Sequence, residues 1–328
     1  MDLRVLGEVG IRAGDRFLTL DRAGERCVLA VFALEPGRPI PVETLVERVW
    51  GDEPPAKADE SIASYVRAVR RVVERAGGAR DWLVNRRPRA YLLRVERSAV
   101  DYHRFADSIT TARALAARAE NDQAVSAYRR ALDQWDGDPL TGVTGEWADR
   151  RRDLLRRERL EAWCGLLDQQ LRIGAHDAVA GRVDQLIDEV VPTDRLIKLG
   201  LYGLAYCGRH ADVPQFLERA ERRMWEAVQL RPSPAVGTLA RRLMAEAGNR
   251  ELIEEESVRT DRRLVDGTAR SDSPTPSEGA NSGRDENAGT KERPTVSGTA
   301  DPMPLVSMTA ISHGNIYQAG GDQYIVES

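Results

Sequence analysis

The chain has 328 residues, 41% of them aliphatic or aromatic and 30% charged, with a net charge of −4 at pH 7. That length fits two or three domains with sizeable cores, and no apolar run approaches the ~18 residues of a membrane span. The N-terminus shows no basic-then-apolar leader, and Cys27, Cys164 and Cys207 lack metal-ligand or paired spacing, which predicts three buried thiols in a reducing cytosol.

The first segment, LRVLGEVGIRAGDRFLTLD, alternates β-favouring residues around Ala13-Gly14-Asp15 and predicts short antiparallel strands. GERCVLAVFAL follows as a helix, with Leu29, Phe32 and Ala33 on one face and Pro36-Gly37 as its stop. PVETLVERVWG predicts a second helix opened by Pro41, with Leu45, Val46 and Val49 as its apolar stripe. The third helix is expected over Asp59–Ala76, because Ile62, Val66, Val69 and Val73 step by four, three and four. Asp59 is placed as a candidate N-cap. Strands over Trp82–Val84 and Tyr91–Val95 then flank a turn carrying Arg86, Arg87 and Arg89.

A small sheet, three helices and a two-stranded turn are the order of a winged helix-turn-helix. Residues 57–97 hold 11 Lys+Arg against 5 Asp+Glu. Arg67, Arg70, Arg71 and Arg75 lie off the apolar stripe of the third helix, on a face that can enter a major groove and donate to bases or phosphates. The candidate DNA-binding residues are Ser64, Arg67, Arg70 and Arg71 on the helix and Arg86, Arg87 and Arg89 in the hairpin. Any one arginine fits a solvated helix face equally well; their grouping in this order of elements favours DNA.

After Asp101 the texture becomes helical: DYHRFADSITTARALAARAE, NDQAVSAYRRALDQW, EWADRRRDLLRRERLEAWCGLLDQQLRIG, HDAVAGRVDQLIDEVV, DRLIKLGLYGLAYCG, PQFLERAERRMWEAV and SPAVGTLARRLMAEAG, joined by short turns. Helix pairs of this size predict a tetratricopeptide-like α-solenoid. Trp135, Trp147, Trp163 and Trp225 are expected to pack between repeats rather than to form a ligand box. Of residues 267–300, 18 of 34 are Gly, Ser, Thr or Pro, which predicts a disordered linker. Residues 254–328 carry 7 Lys+Arg against 13 Asp+Glu.

The last segment, NIYQAGGDQYIV, is nearly a mirror: Ile316, Tyr317 and Gln318 answer Ile325, Tyr324 and Gln323 across an Ala-Gly-Gly-Asp turn. Those six side chains are candidates for self-assembly, since stacked copies would build glutamine ladders and aromatic columns. The stretch resembles actinobacterial amyloid-signalling motifs, themselves similar to the RIP homotypic interaction motif. That resemblance implies a partner with a matching motif. It supports a second reading of the chain as a signalling adaptor.

Six stretches in order carry a wider resemblance: LRVLGEVGI, VETLVERVWGDEPP, SIASYVRAVRRVV, AYLLRVERSAVDYHRF, ALDQWDGDPLTGV and VQLRPSPAVGTLARRLM. Over about residues 2–247 the chain resembles the Streptomyces antibiotic regulatory protein family of transcriptional activators. The resemblance implies an OmpR-like winged helix followed by a bacterial transcriptional activator domain, binding to repeated promoter sites in double-stranded DNA, and contact with RNA polymerase. It places the recognition helix at Asp59–Ala76 and the wing at Leu83–Val95. Three departures stand out: the wing turn Pro88-Arg89-Ala90-Tyr91 lacks the usual Gly, Ala68 replaces a frequent Arg, and Pro214 and Leu217 replace more typical helix residues.

The sequence therefore predicts a mainly α chain: a winged helix-turn-helix over 1–97, a tetratricopeptide-like domain over 98–250, an acidic linker over 251–309 and a short β motif over 310–328. No phosphate-binding loop, receiver pocket, catalytic motif, metal site or cofactor site is read. The expectation is a cytoplasmic DNA-binding activator of a gene cluster, nucleoid-associated when bound, rather than an enzyme. Homo-oligomerisation and effector binding by the helical domain stay open.

Overall fold

The computed structural model of the chain describes residues 1–86 and 88–247. Four short strands open it: β1 (Asp2–Arg4), β2 (Gly7–Glu8), β3 (Gly10–Ala13) and β4 (Arg16–Thr19). β1, β3 and β4 form an antiparallel sheet in that order, with Leu3 opposite Ile11 and Ile11 opposite Leu18. The β3–β4 turn uses Gly14 at φ +59°, a conformation that favours a residue without Cβ. Helix α1 (Ala23–Leu34) is buried on every side from Cys27 to Leu34. The expected single face of Leu29, Phe32 and Ala33 is thus too narrow, because both α2 (Val42–Trp50) and α3 (Ala58–Arg75) pack against α1.

α2 buries Leu45 completely, with Val46 and Val49 partly buried on the same core. It ends at Gly51, φ +63°, whose N–H donates to the Glu47 carbonyl. On α3, Ile62, Val66, Val69 and Val73 are all buried, so the expected stripe is the core face. Strands β5 (Ile40–Pro41), β6 (Leu83–Arg86) and β7 (Ala90–Leu93) form the second antiparallel sheet, in the order β5-β7-β6. Trp82 belongs to a 3₁₀ turn rather than to the first wing strand, and the second strand is shifted to Ala90–Leu93. Neither Arg89 nor Ala90 has a positive φ, so this turn does not require glycine.

The helical half follows as α4 (Asp101–Ala117), α5 (Asn121–Leu132), α6 (Glu146–Arg172), α7 (His176–Glu189), α8 (Asp194–Tyr206), α9 (Val213–Val228) and a further helix over 234–247. α4 packs on α5, α5 on α6 and α7 on α8, as in a stack of helix pairs. Pro214 sits in the first turn of α9, where a missing N–H breaks no helical bond, and Leu217 packs on the core.

Between α5 and α6 the sequence reads only a connecting turn. The structure instead holds β8 (Asp136–Thr141), paired in parallel with β2. The Asp136 N–H donates to the Leu6 carbonyl at 2.8 Å and the Leu140 N–H to the Val5 carbonyl at 3.0 Å. Arg152 holds the loop by donating to the carbonyls of Pro139, Leu140 and Val143.

Buried Asp101 closes this joint. Its carboxylate accepts from the N–H groups of Val5, Leu6 and Tyr102, with Arg4 Nε 3.5 Å away. Burial pushes its carboxyl up to about 6, opposed by those hydrogen bonds and by Arg4. The first apolar core runs without a break from Leu3 through α3 and the wing to Leu166, and a second from Cys164 to Leu243. The first core thus continues past residue 97.

Cys27 and Cys164 are buried, and burial pushes both thiols up to about 12. Cys207 is only half-buried, contrary to the expectation of three buried thiols. Trp135, Trp147 and Trp163 pack on the cores as expected, but Trp225 is 48% exposed. Among the described residues no helix is long and apolar enough to cross a membrane.

Candidate DNA interface

Folding α3 onto its apolar stripe leaves the opposite face to solvent. Arg67, Arg71 and Arg75 are exposed there, and Ser64 and Arg70 are half-buried. Ser64, Arg67, Arg70 and Arg71 line one shallow hollow with Glu74, and Leu83 at the root of the wing forms its other side. The four candidates on the helix are thus brought together.

Their roles differ. Arg70 turns toward the wing: its Nε donates to the Leu83 carbonyl at 2.9 Å and its Nη2 to Asn85 Oδ1 at 2.7 Å. Its guanidinium lies 5.9 Å from the centre of the Tyr91 ring. Two directed donor bonds and an aromatic contact make it a strut between α3 and the β6–β7 hairpin. Arg67 and Arg71 have no ion pair or hydrogen bond among the described residues and remain available as donors.

On the wing, Arg86 ends β6 as an exposed side chain, also without a partner among the described residues. Arg89 is engaged instead. It pairs with Asp59 and lies 3.6 Å from Glu43, and the Asp59 hydrogen bond, then the two carboxylate charges, hold its guanidinium above the ordinary arginine range. Asp59 is not the N-cap of α3, which is Lys57; it lies in the first turn, where a carboxylate suits the helix dipole. Its negative charge is thus partly matched by the wing. Arg87, and the tail candidates Ile316, Tyr317, Gln318, Gln323, Tyr324 and Ile325, lie outside the described residues.

Ala68 is 5% exposed, so it lies on the packed side of α3 rather than on the open face. Asn85 and Glu43 escaped sequence reasoning. Each acts through a contact that depends on the wing's register, with Asn85 opposite Tyr91, and no local pattern encodes it. Among the described residues no cluster of His, Cys, Asp or Glu could hold a metal.

Residues 20–93 match the family model for the C-terminal domain of transcriptional regulatory proteins, and residues 100–244 match the bacterial transcriptional activator domain. The chain is 28% identical over 240 residues to the regulatory protein AfsR of Streptomyces griseus, covering 73% of this chain and 24% of that one. It is 29% identical over 183 residues to the regulatory protein DnrI of Streptomyces peucetius, covering 54% and 67%. The aligned part thus spans about a quarter of the length of AfsR. The solved structure of Mycobacterium tuberculosis EmbR in complex with a low-affinity phosphopeptide shares the fold, with a TM-score of 0.67 at 21% identity over 79% of this chain and 70% of that one.

Proposed function

Because the chain belongs to the Streptomyces antibiotic regulatory protein family of transcriptional regulators, we propose that it activates promoters by laying α3 in the major groove of their DNA. Arg67 and Arg71 meet bases or phosphates, with Ser64 beside them, and Arg86 reaches the flanking backbone from the wing. Arg70 and Arg89 keep the wing in position beside the helix. The observation that supports this most is the convergence of Ser64, Arg67 and Arg71 at the root of the wing, on the face of α3 that the core leaves open.

The family resemblance extends the proposal. The sites are repeated promoter elements of a gene cluster, the chain acts on the nucleoid, and the helical half contacts RNA polymerase and supports association of copies on adjacent repeats. The role is binding rather than catalysis. The test is selection of sites by the full chain from a random duplex library. Enrichment of one repeated element is expected, tighter than random DNA by at least about 10³-fold at physiological salt. Recovery of DNA without a common element would defeat the proposal.

A further inference from the structure

A second surface lies away from the recognition helix. α6, the end of α7, the 191–193 turn and the end of α9 enclose an open cleft of about 790 Å³. Its floor is apolar, made by Leu160, Trp163, Leu186 and Val190. Val191 and Val228 stand on its rim, 42% and 46% exposed. Val191 and Val228 are two of the nine large apolar side chains left exposed among the described residues, and both border this apolar floor. Exposed apolar side chains continuous with an apolar floor mark an interaction surface better than isolated ones do.

The charges around it are unequal in a way that identifies the partner. The acidic groups are already engaged: Asp138 with Arg152 and Arg156, Asp153 with Arg156, and Glu189 with Arg182. Two of the cations are not. Arg157 is exposed and has no partner among the described residues. Arg159, half-buried over the Trp135 ring, donates only to the Gly137 carbonyl at 3.4 Å, and its Nε is buried without an acceptor. A free phosphate or nucleic acid would leave the apolar floor and rim uncovered. A neutral apolar ligand would leave the Arg157 guanidinium without a counter-charge and the buried Arg159 Nε without an acceptor.

We infer that this cleft docks an acidic amphipathic protein segment, whose bulky apolar side chains cover the floor and whose carboxylates meet Arg157 and Arg159. The mode is that of a helix laid in a groove. It uses no residue of α3 or the wing, so its failure and the failure of the DNA reading are separable.

The probes are three fluorescent peptides of about four helical turns, sharing one leucine stripe and flanked by Glu, Gln or Lys, titrated into the full chain. The Glu peptide is expected to bind with a Kd in the range of about 1–100 μM, and the Lys peptide at least tenfold more weakly. Arg157→Glu and Val228→Asp, both at exposed positions, should each weaken the Glu peptide at least tenfold. Ile173→Asp, exposed at the end of α6, should not. Promoter-DNA affinity should be unchanged in all three variants. Equal binding of the Glu and Lys peptides, no Glu-peptide binding up to about 1 mM, or binding indifferent to Arg157→Glu and Val228→Asp would overturn the assignment. So would a dimer that Val228→Asp converts to monomer in sedimentation, since the occupant would then be a second copy.

Discussion

Arg70 and Arg71 are adjacent in sequence, yet α3 turns one toward the wing and leaves the other open to solvent. The difference gives them separable signatures. Arg71→Ala should weaken promoter binding and lower the slope of log affinity against log salt by about one unit, as for a lost phosphate contact. Arg70→Ala should also weaken binding, but with the slope kept, because its donors go to Leu83 and Asn85 rather than to DNA. Arg70→Lys should not restore it, since an ammonium cannot reproduce the fork that spans both acceptors. Asn85→Ala should show part of the same loss. Binding titrations at several salt concentrations decide the matter. If Arg70→Ala lowers the slope as much as Arg71→Ala does, the strut assignment fails.

At the scale of elements, close helix packing in the second core depends on small residues. A Cβ added at Gly203 on α8 would stand 2.9 Å from the Ala180 backbone nitrogen on α7 and 3.1 Å from Val179. Gly203→Ala should therefore destabilise the fold by about 1–3 kcal/mol through overpacking, although Ala is favoured over Gly in a free helix by about 1 kcal/mol. Urea denaturation reads the sign directly, and a gain in stability would contradict the packing.

The elements themselves were largely legible. Helical periodicity at Ile62, Val66, Val69 and Val73 fixed the buried face of α3, and alternation around Ala13-Gly14-Asp15 announced the first sheet. β8 was not legible, because Gly137, Asp138 and Pro139 read as a turn and its pairing partner lies some 130 residues earlier. The site was legible as a group of arginines but not in its division of labour. Whether Arg70 meets Asn85, or Arg89 meets Asp59, is set by tertiary register rather than by local sequence.

On the scale of the whole molecule, the DNA-binding half and the first helices of the activator half share one core. Asp101, the first residue of α4, ties that core to the backbone of Val5 and Leu6. Its folded pKa, about 6, lies above the ordinary value of 3.8, so the folded chain holds this proton more tightly than the unfolded chain. The resulting stability is full below about pH 4 and is lost as pH rises through about 6, by roughly 3 kcal/mol at most. Asp101→Asn removes that dependence. The stability difference between the native chain and this variant should therefore shrink from about pH 4.5 to about pH 7. A difference that widens would mean that the three N–H donors outweigh burial and hold the carboxylate ionised.

A joint fixed in this way holds the first helices of the helical half at a set position beside the N-terminal sheet. The central claim is that the open arginines of α3 and the wing hold the duplex. Its most direct test is the affinity of the full chain and of the joint Arg67→Ala, Arg71→Ala and Arg86→Ala variant for a selected promoter element and for random duplex, at about 0.15 M salt. The account predicts a native preference of at least about 10³-fold for the element, and a variant that keeps its fold and thermal midpoint but loses most affinity for both duplexes. A variant that binds the element as tightly as the native chain would contradict it.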